Sequence, residues 1–482
     1  MGHSCMLIPN NEFGRHEECG IIGIISRKER EISRDIYYGL FALQHRGQES
    51  AGIAVQVDKT SVSYYKNMGL VSDVFTDDIM RHIPKSQTGI GHVRYSTTGS
   101  SNVINAQPVV FYGRHGRMAM AHNGNIANAG LIKEKMLNAG HIFQSSVDSE
   151  VIAALINYYS GENIEKGIIY ACKELVGAYA LVVIAEDKLY AARDPQGLKP
   201  LVIGQRDGDF FVSSESCGLD AMDAQMVRDV KPGEIVMIGA DGTLKSTMMD
   251  KIFRRSCIFE YVYLARSDSV IDEVSVYEAR YECGKQLALL HKIDADIVSG
   301  VPDSAIVAAR GYSDVSGIPY VDALAKNRYV GRTFIQPTQS QRESAVKIKL
   351  AAFKNNIVGK RLILVEDSIV RGTTTKKIIR LLRSNGVREI HMLVASPIVK
   401  YPCYFGVDMD TREQLIGAYK SEDEICAEIG ADSLHYIPLA NLSSACSRLN
   451  NACFSDEYCK GCFDGNYPLN IDKYFCHKDS LE

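Results

Sequence analysis

Residues 362–375 read LILVEDSIVRGTTT, and this segment decides the fold of the second half of the chain. Its apolar residues predict a buried strand that ends in the adjacent carboxylates Glu366 and Asp367. A turn rich in Gly and Thr follows, and then a helical pattern begins. Backbone N–H groups at the start of such a helix can bind a phosphate. The competing structural interpretation is an ordinary helix capped by Thr373 or Thr374.

Strand and helix patterns alternate on both sides of this segment. Strands are predicted over residues 296–301, 318–324, 361–366 and 387–395, and helices over 304–309 and 373–385. This alternation predicts a parallel α/β sheet. Residues 248–280 are predicted to link it to the first half of the chain.

The first half consists of short runs rich in Val, Ile and Tyr, separated by turns of Gly, Asn and Ser. Strands are predicted over residues 19–25, 51–57, 177–185 and 188–192, and helices over 34–44, 148–159 and 164–175. Two stacked sheets sandwiched by helices fit this pattern, although periodicity alone does not establish the layering.

Composition bounds the possible functions. The 482 residues suggest two or three domains, and 46% hydrophobic with 23% charged residues is average for soluble proteins. The net charge of −4 argues against a protein built to bind nucleic acid. No apolar run has membrane-spanning length, and residues 1–18 lack a signal-peptide core. We therefore expect a cytoplasmic protein, in which the 13 cysteines serve metals or catalysis more often than disulfides.

Cys19 opens the strand pattern CGIIGI and is followed by polar motifs typical of binding loops. These are QHRGQESAG (44–52), GHVRYSTT (91–98), AHNGN (121–125) and SSVDSE (145–150). Taken singly, each motif could be a turn, a cap or an ion pair, and Cys19 could be a small buried side chain. Together they resemble the N-terminal-nucleophile glutaminase domain of the class II glutamine amidotransferases, over about residues 19–250.

This resemblance implies a four-layer αββα domain at residues 19–250, preceded by a propeptide, residues 1–18. Removal of the propeptide would leave Cys19 with a free α-amino group that takes the proton of its thiol. Arg94 would bind the α-carboxylate of glutamine, and Asp148 would bind its α-ammonium group. Asn123 and the backbone N–H of Gly124 would form the oxyanion hole.

Residues 362–375 resemble the phosphoribosylpyrophosphate (PRPP) signature of the type I phosphoribosyltransferases, which implies a parallel α/β domain at residues 251–482. SGVPDSA (299–305) resembles the pyrophosphate loop of that family, and residues 329–350 resemble its mobile loop. The Mg²⁺ ligands would then be Ser304, Glu366 and Asp367. The PRPP-binding residues would be Asp303, Ser304, Glu366, Asp367, Ser368, Val370, Arg371, Gly372, Thr373 and Thr374, with Arg332, Arg342, Lys347 and Lys349 from the mobile loop. A solvated basic face is the competing interpretation of that loop.

A glutaminase joined to a phosphoribosyltransferase implies hydrolysis of glutamine at Cys19 and internal transfer of ammonia to PRPP. The products would be 5-phosphoribosylamine, glutamate and pyrophosphate, in the first committed step of purine (IMP) synthesis. Tyr95, Tyr329 and Ile335 are predicted to line the ammonia passage. The resemblance further implies a homotetramer inhibited by purine nucleotides, with Lys326 and Arg328 as candidate contacts.

Cys459 and Cys462 form a CxxC pair, which can be a metal site or two ordinary buried thiols. With Cys257 and Cys403 they resemble the cluster-bearing branch of the two-domain family, whose members also carry a leader before the nucleophile. That resemblance implies a [4Fe-4S] cluster with a structural or oxygen-sensing role. Zinc in a Cys₄ site is the competing prediction. Cys446 and Cys453 are the alternative ligands closest in sequence.

Two other functions compete with this one. An aminosugar synthase would share the glutaminase half, but a sugar-isomerase domain would replace VEDSIVRGTTT. A PRPP-sensing regulator would keep the fold and lose catalytic residues, whereas Cys19, Arg94, Asn123 and Asp148 are all present.

Overall fold

The computed structural model describes residues 17–96, 102–161, 163–250, 252–327, 350–409, 411–447, 457–471 and 473–474. Within these ranges, no helix combines the length and the apolar character needed to cross a membrane.

Between Glu17 and Met248 the described residues form two antiparallel sheets. In chain order their strands are β1 (Glu17–Arg30), β2 (Ser50–Asp58), β3 (Ser61–Met68), β4 (Ser86–Ser96), β5 (Val109–Gly113), β6 (Gly116–Ile126), β7 (Gly177–Ala185), β8 (Lys188–Arg193), β9 (Val202–Arg206), β10 (Asp209–Ser213), β11 (Gln225–Asp229), β12 (Glu234–Gly239) and β13 (Leu244–Met248). One sheet has the order β11-β9-β10-β1-β4-β2-β3, and the other has the order β13-β12-β8-β7-β6-β5.

Helices cover the outer face of each sheet. Those described are α1 (Ile32–Ala42), α2 (Val71–Val74), α3 (Asp77–His82), α4 (Ala129–Asn138), α5 (Asp148–Ser160), α6 (Ile164–Glu174) and α7 (Ser216–Asp220). Successive side chains of a strand point to opposite faces. In β1, Ile21 and Ile25 accordingly pack between the two sheets, whereas Ile22 and Ile24 pack against α1. Helices α4, α5 and α6 cover the second sheet, so the predicted αββα layering is confirmed.

After residue 248 the chain forms a smaller parallel sheet with the order β17-β20-β21-β22. The strands are β14 (Ser256–Cys257), β15 (Val270–Ile271), β16 (Val274–Ser275), β17 (Ile297–Gly300), β18 (Leu324–Lys326), β19 (Leu350–Ala352), β20 (Arg361–Glu366), β21 (Glu389–Val394), β22 (Ser433–Tyr436) and β23 (Tyr458–Cys459). The helices are α8 (Val276–Leu290), α9 (Ile306–Ser316), α10 (Lys354–Ile357), α11 (Thr373–Ser384), α12 (Glu422–Ile429), α13 (Leu439–Ala445) and α14 (Gly461–Asp464), with a π-helical turn over Glu260–Leu264. Apolar cores on both faces of this sheet confirm the predicted α/β fold.

The prediction of a continuous strand over residues 318–324 is wrong. Tyr320 makes a single parallel bridge with Val298, and regular pairing resumes only at β18. After Val321, the Ala323 N–H donates to the Ser299 hydroxyl at 3.0 Å instead of continuing the ladder. Toward the start of the predicted strand, Pro319 has no N–H to donate. Its carbonyl still accepts from Val298 at 3.0 Å.

The link predicted over residues 248–280 is a packed part of the structure. Its π-helical turn buries Glu260 and Tyr261, and Arg280 already belongs to α8. Burial of charged side chains requires partners. Arg280 donates through Nε to the Tyr261 carbonyl at 2.8 Å and through Nη2 to the Ala265 carbonyl at 2.8 Å. This segment is therefore a structured connection between the two halves.

Helices α8 and α9 cross at two glycines. A Cβ atom added to Gly284 would lie 1.8 Å from the carbonyl oxygen of Ala308, and one added to Gly311 would lie 2.1 Å from that of Tyr281. Both distances are far below van der Waals contact, so the two backbones pack directly against each other. This glycine contact fixes the helix that follows the predicted pyrophosphate loop.

A buried ion network also joins the two halves. The Arg46 guanidinium, which is 3% exposed, donates to Glu215 in the first half and at 2.6 Å to Oε2 of Glu260 in the second. Burial alone would raise the pKa of Glu215, but Arg46 and His45 lower it well below its ordinary value. Glu215 is therefore charged, and Arg46 is the counter-ion that it shares with Glu260.

Replacement of Arg46 by methionine is expected to destabilise the protein by about 3–5 kcal/mol, because it leaves two buried carboxylates without their cation. The half-exposed Arg30, which pairs with Asp35 and Asp209, is the matched control. Its replacement by methionine is expected to cost about 1 kcal/mol or less. Urea-unfolding midpoints of the two variants measure the difference, and equal midpoints would contradict the prediction.

Candidate active sites

Cys19 lies in the interior of β1, fully buried, at the point where this strand pairs with Arg94 of β4. Its backbone N–H donates to Oδ1 of Asn123 at 3.3 Å. A nucleophile needs its base and its oxyanion donors within hydrogen-bond reach. The backbone nitrogen that cleavage after Glu18 would convert to an amine already lies beside Asn123.

Asn123 and Gly124 occupy adjacent positions of β6. The Nδ2 atom of Asn123 is buried and has no hydrogen-bond partner among the described residues. Such an orphaned donor is costly to bury unless another group uses it. Gly124 has φ = 148°, and a Cβ atom there would lie 2.0 Å from the carbonyl oxygen of Ala178. Only glycine fits this position, and the Asn123–Gly124 pair suits the predicted oxyanion hole.

Replacement of Gly124 by alanine is expected to lower the kcat of glutamine hydrolysis by about 10²-fold, the usual effect of losing one oxyanion donor. The added Cβ would push β6 away from Ala178 and move the Gly124 N–H. Gly130 is the control, because a Cβ at that position meets nothing within 4 Å. Steady-state glutamate release should separate the two alanine variants, and a fully active Gly124 variant would refute this assignment.

Arg94, on β4, is 2% exposed and lies beside Cys19 in the sheet. Its Nη1 atom is 3.5 Å from Oε1 of Glu49. The Glu49 carboxylate was missed by the sequence analysis, although it belongs to the motif QHRGQESAG. Gly47 holds this motif against β4, since a Cβ there would lie 2.4 Å from the Val93 carbonyl carbon. Glu49 is therefore positioned to orient the guanidinium that we predict to bind a carboxylate.

Asp148 is the first residue of α5 and is buried. One carboxylate oxygen accepts from the Ile126 N–H at 3.0 Å, and the other lies 3.6 Å from Nδ1 of His122. Burial alone would raise the pKa of Asp148, but His122 and the Ile126 and Ser149 N–H groups lower it below its ordinary value. The carboxylate is thus charged at neutral pH, as binding of an ammonium group requires.

The second candidate site lies at the carboxyl end of β20. Burial raises the pKa of Glu366 well above its ordinary value, and the adjacent Asp367 raises it further. Burial also raises the pKa of Asp367, against the opposing effect of hydroxyl groups from Ser304 and Ser368. Ser304 hydrogen-bonds one carboxylate oxygen of Asp367, and Ser368 donates to the other at 2.7 Å. Two adjacent carboxylates whose pKa values are raised in this way are suited to bind a cation together.

The loop after this strand leads into α11. Gly372, with φ = 71°, is its N-cap residue, so the alternative cap at Thr373 or Thr374 is wrong. No side chain caps the first turn of α11, and the side chains of Thr373 and Thr374 are exposed. The N–H groups and hydroxyls of this turn are therefore accessible to a phosphate.

Two further residues of the predicted PRPP-binding loop, Val370 and Arg371, are held by contacts with residues that follow β21. Arg371 donates at 2.6 Å to Oε1 of Gln414, and its Nη2 atom is 3.4 Å from a carboxylate oxygen of Asp408. Val370 is half-buried, and its carbonyl accepts from the Ile416 N–H at 3.0 Å. Asp408, Gln414 and Ile416 thus support the predicted phosphate loop.

Asp303 lies on the exposed side of the same site and pairs with Lys326. A residue missed by the sequence analysis completes it: buried Arg280 lines a cavity together with Ser304 and Asp367. No local motif marks Arg280, because its position depends on the packing of α8. Several predicted residues lie outside the part of the chain that the structure describes: Arg328, Tyr329, Arg332, Ile335, Arg342, Lys347 and Lys349. Tyr95, predicted to line the ammonia passage, pairs with the Glu18 backbone in the sheet.

The four predicted ligand cysteines surround one cavity. Cys257 and Cys459 are direct partners in the parallel β14–β23 pair, and Cys403 and Cys462 complete the cavity wall. Burial raises the pKa of Cys257 to about 12. Burial also raises the pKa values of Cys459 and Cys462 well above the ordinary value of a thiol, and the neighbouring thiols raise them further. Within the described ranges, no three His, Cys, Asp or Glu side chains are close enough to hold a single metal ion. The four cysteines share the lining of this one cavity.

The fully buried Cys19 beside Asn123 and Arg94, within αββα layers, is the arrangement predicted for a glutamine amidotransferase in the first half, which here precedes a parallel α/β domain. Residues 92–221 match the family described as "Glutamine amidotransferase domain". The amidophosphoribosyltransferase of Methanocaldococcus jannaschii is 46% identical over 94% of this chain and 98% of its own length. That of Bacillus subtilis is 42% identical over 95% of both chains. The chain belongs to the amidophosphoribosyltransferase family.

Solved structures agree with this membership. One, of glutamine PRPP amidotransferase from B. subtilis complexed with ADP and GMP, is 41% identical and covers 96% of this chain and 99% of its own, with a TM-score of 0.87. Another, described as the allosteric regulatory enzyme of purine biosynthesis, is 42% identical and covers 96% of this chain and 98% of its own, with a TM-score of 0.88. These matches exclude the alternative that the chain is an aminosugar synthase, and they give no support to the alternative of a PRPP-sensing regulator.

Proposed function

We propose that this chain hydrolyses glutamine at Cys19 and transfers the ammonia internally to PRPP. The products are 5-phosphoribosylamine, glutamate and pyrophosphate, in the first committed step of purine synthesis. The observation that carries the proposal is the buried, unpartnered Nδ2 donor of Asn123 beside Cys19, in one chain with the paired carboxylates at the end of β20.

The glutaminase step follows from the first site. After removal of residues 1–18, the α-amino group of Cys19 takes the thiol proton, because free α-amino groups have a pKa of about 8. The thiolate attacks the side-chain amide of glutamine, which Arg94 and Asp148 hold by its two charged α-groups. Nδ2 of Asn123 and the Gly124 N–H stabilise the oxyanion, and the amine returns the proton to the leaving ammonia. Water then hydrolyses the thioester that remains on Cys19, which releases glutamate and restores the thiol.

The transfer step follows from the second site. The loop from Ser368 to Thr374 binds the 5′-phosphate, and Asp303 with Ser304 contacts the pyrophosphate. Ammonia is already a nucleophile, so the residues contribute mainly by orienting the ribose and excluding water. The buried pair Glu366 and Asp367, with the Ser304 hydroxyl, fits Mg²⁺. When bound, Mg²⁺ would offset charge on the pyrophosphate leaving group.

The cysteine cavity fits a [4Fe-4S] cluster. The four cysteines line this cavity. Burial and the neighbouring thiols raise the pKa values of three of them, Cys257, Cys459 and Cys462, so these thiols need a strong cation to ionise. They surround a space, which suits a multi-atom cluster better than one zinc ion. When bound, the cluster would cross-link residues 257, 403, 459 and 462 and thereby stabilise the junction of the halves.

Protein prepared without oxygen is expected to contain four iron and four sulfide per chain, the composition of a [4Fe-4S] cluster. Replacement of Cys459 by serine should remove this iron. Cys426, half-buried on α12, where its thiol donates to the Ala431 carbonyl, is the control, and its serine variant should keep the iron. Metal analysis that finds one zinc per chain and no iron would overturn the assignment.

Other parts of the proposal concern organisation and control. We propose a propeptide over residues 1–18, a glutaminase domain over 19–250 and a phosphoribosyltransferase domain with the cysteine segment over 251–482. We further propose a cytoplasmic homotetramer that purine nucleotides inhibit by occupying the ribose-phosphate site, with Lys326 as a contact for a second nucleotide. Support for this inhibition comes from the B. subtilis structure, which is complexed with ADP and GMP.

The test is an anaerobic assay of glutamate and pyrophosphate released from glutamine and PRPP. Equal amounts of both products are expected from protein whose intact mass shows removal of residues 1–18. Glutamate without pyrophosphate would overturn the transferase half of the proposal. Release of neither product would point to a sensor.

A further inference from the structure

Residues 403–408, which we name the bridging segment, touch both candidate sites. The Cys403 N–H donates to the Met409 carbonyl at 2.8 Å, and the Phe405 N–H lies 3.4 Å from the Cys403 sulfur. Cys403, Phe405 and Val407 are buried. The segment is therefore a closed turn anchored in the core of the second half, and not a loose surface loop.

Two side chains of the first half hold this turn. Nδ2 of Asn125 donates to the Tyr404 carbonyl at 2.8 Å, and Nζ of Lys199 donates to the Gly406 carbonyl at 2.9 Å. Both side chains are buried, with 6% and 2% of their surfaces exposed. Buried hydrogen bonds of this kind fix relative positions closely, because a displaced donor would lose its partner without gaining water.

Asn125 is also adjacent in sequence to the two residues of the predicted oxyanion hole. It follows Asn123 and Gly124 directly in β6, where it pairs with Ala178 of β7. A shift of the Asn125 side chain therefore shifts the strand that carries the two oxyanion donors. At its other end, the bridging segment carries Asp408, which lies 3.4 Å from Arg371 of the phosphate loop.

We propose that Asn125 is a positioning residue, which sets the oxyanion hole according to the state of the phosphate loop through the bridging segment. When PRPP binds Arg371 and its neighbours, the contact with Asp408 changes. The Tyr404 carbonyl then moves Asn125 and, with it, the Asn123–Gly124 pair. This inference rests on the proposed function, since it requires glutamine hydrolysis in one half and PRPP binding in the other.

The test compares Asn125→Ala with Asn128→Ala in the full-length processed protein. Asn128 is similarly buried, but its side chain bonds the Glu174 carbonyl and the Val176 N–H, both within the first half. Three quantities are measured: glutamine hydrolysis with and without PRPP, KM for glutamine, and phosphoribosylamine synthesis from added ammonia.

In the unaltered protein, PRPP is expected to stimulate glutamine hydrolysis. Asn125→Ala should lose most of this stimulation, with kcat for glutamine about 10-fold lower as one hydrogen bond is removed. KM for glutamine should change less than kcat, and ammonia-dependent synthesis should stay within about 2-fold of the parent, an effect below 0.5 kcal/mol. Asn128→Ala should lower the melting temperature and keep the stimulation.

Asp408→Asn tests the other end of the segment and should weaken the stimulation of glutamine hydrolysis by PRPP. Full stimulation in Asn125→Ala, parallel loss in both asparagine variants, or no stimulation in the unaltered protein would each overturn the inference. If the unaltered protein hydrolyses no glutamine at all, the proposed function itself fails, which separates the two failures.

Discussion

Replacement of Cys19 by alanine is expected to lower glutamine-dependent synthesis of 5-phosphoribosylamine by at least about 10⁴-fold, because removal of a nucleophile stops the covalent route. Synthesis from added ammonia should persist, since the second site lies on other elements and does not need the thiol. The two rates, measured on one preparation by pyrophosphate release, give a ratio that does not depend on the amount of folded protein.

Cys172 provides the control for this experiment. Its thiol is also buried in the first half, but it lies on α6, on the outer face of the second sheet. The Cys172 alanine variant should keep both activities. If the Cys19 variant retains glutamine-dependent synthesis, or if both variants lose ammonia-dependent synthesis as well, the assignment of the nucleophile is wrong.

Replacement of Asp367 by asparagine is expected to lower both glutamine-dependent and ammonia-dependent synthesis by about 10³-fold, the upper range for loss of an electrostatic partner of the transition state. The same substitution should make the protein more stable. Burial raises the pKa of Asp367 and of Glu366, so their charged forms are less favourable in the folded chain than in the unfolded one.

The sign of this stability effect can be followed with pH. A carboxylate with a raised folded pKa contributes most stability below its unfolded pKa, and that contribution is lost as the pH rises through the folded value. The asparagine variant should therefore melt higher than the parent at pH 8, with a smaller difference at pH 4.

Asp296 is the matched control, at the opposite end of the same sheet, where Arg361 lowers its pKa to about 2. Its asparagine variant should keep activity and lose a little stability at neutral pH. An active Asp367 variant, or an inactive Asp296 variant with unchanged melting, would contradict the placement of the second site.

The elements that could be predicted from the sequence are those whose burial is local. Strand β7 was predicted over residues 177–185 and has those limits, because all of its residues are buried. The prediction over 318–324 was wrong because Pro319 lacks an N–H and the Ala323 N–H bonds the Ser299 hydroxyl, so little of the ladder forms. The competing interpretation, a cap of α11 at Thr373 or Thr374, was wrong because the cap residue is Gly372, which adopts the positive φ that the turn requires.

The site residues divide in the same way. Motif residues such as Cys19, Asn123 and Asp367 could be named from the sequence, although their roles remain predictions. Glu49 and Arg280 could not, because their partners come from other segments brought near by packing. The same holds for Asn125, whose contact Tyr404 lies 279 residues away.

The glycine contact between α8 and α9 has an evolutionary consequence. Any side chain at Gly284 or Gly311 would force the two helices apart, and α9 begins two residues after Ser304. A single substitution there would displace the hydroxyl that holds Asp367, and no neighbouring side chain can shrink to compensate, since the obstacle is backbone. Substitutions at these two glycines are therefore expected to be removed by selection, so descendants of this chain should inherit the crossing unchanged.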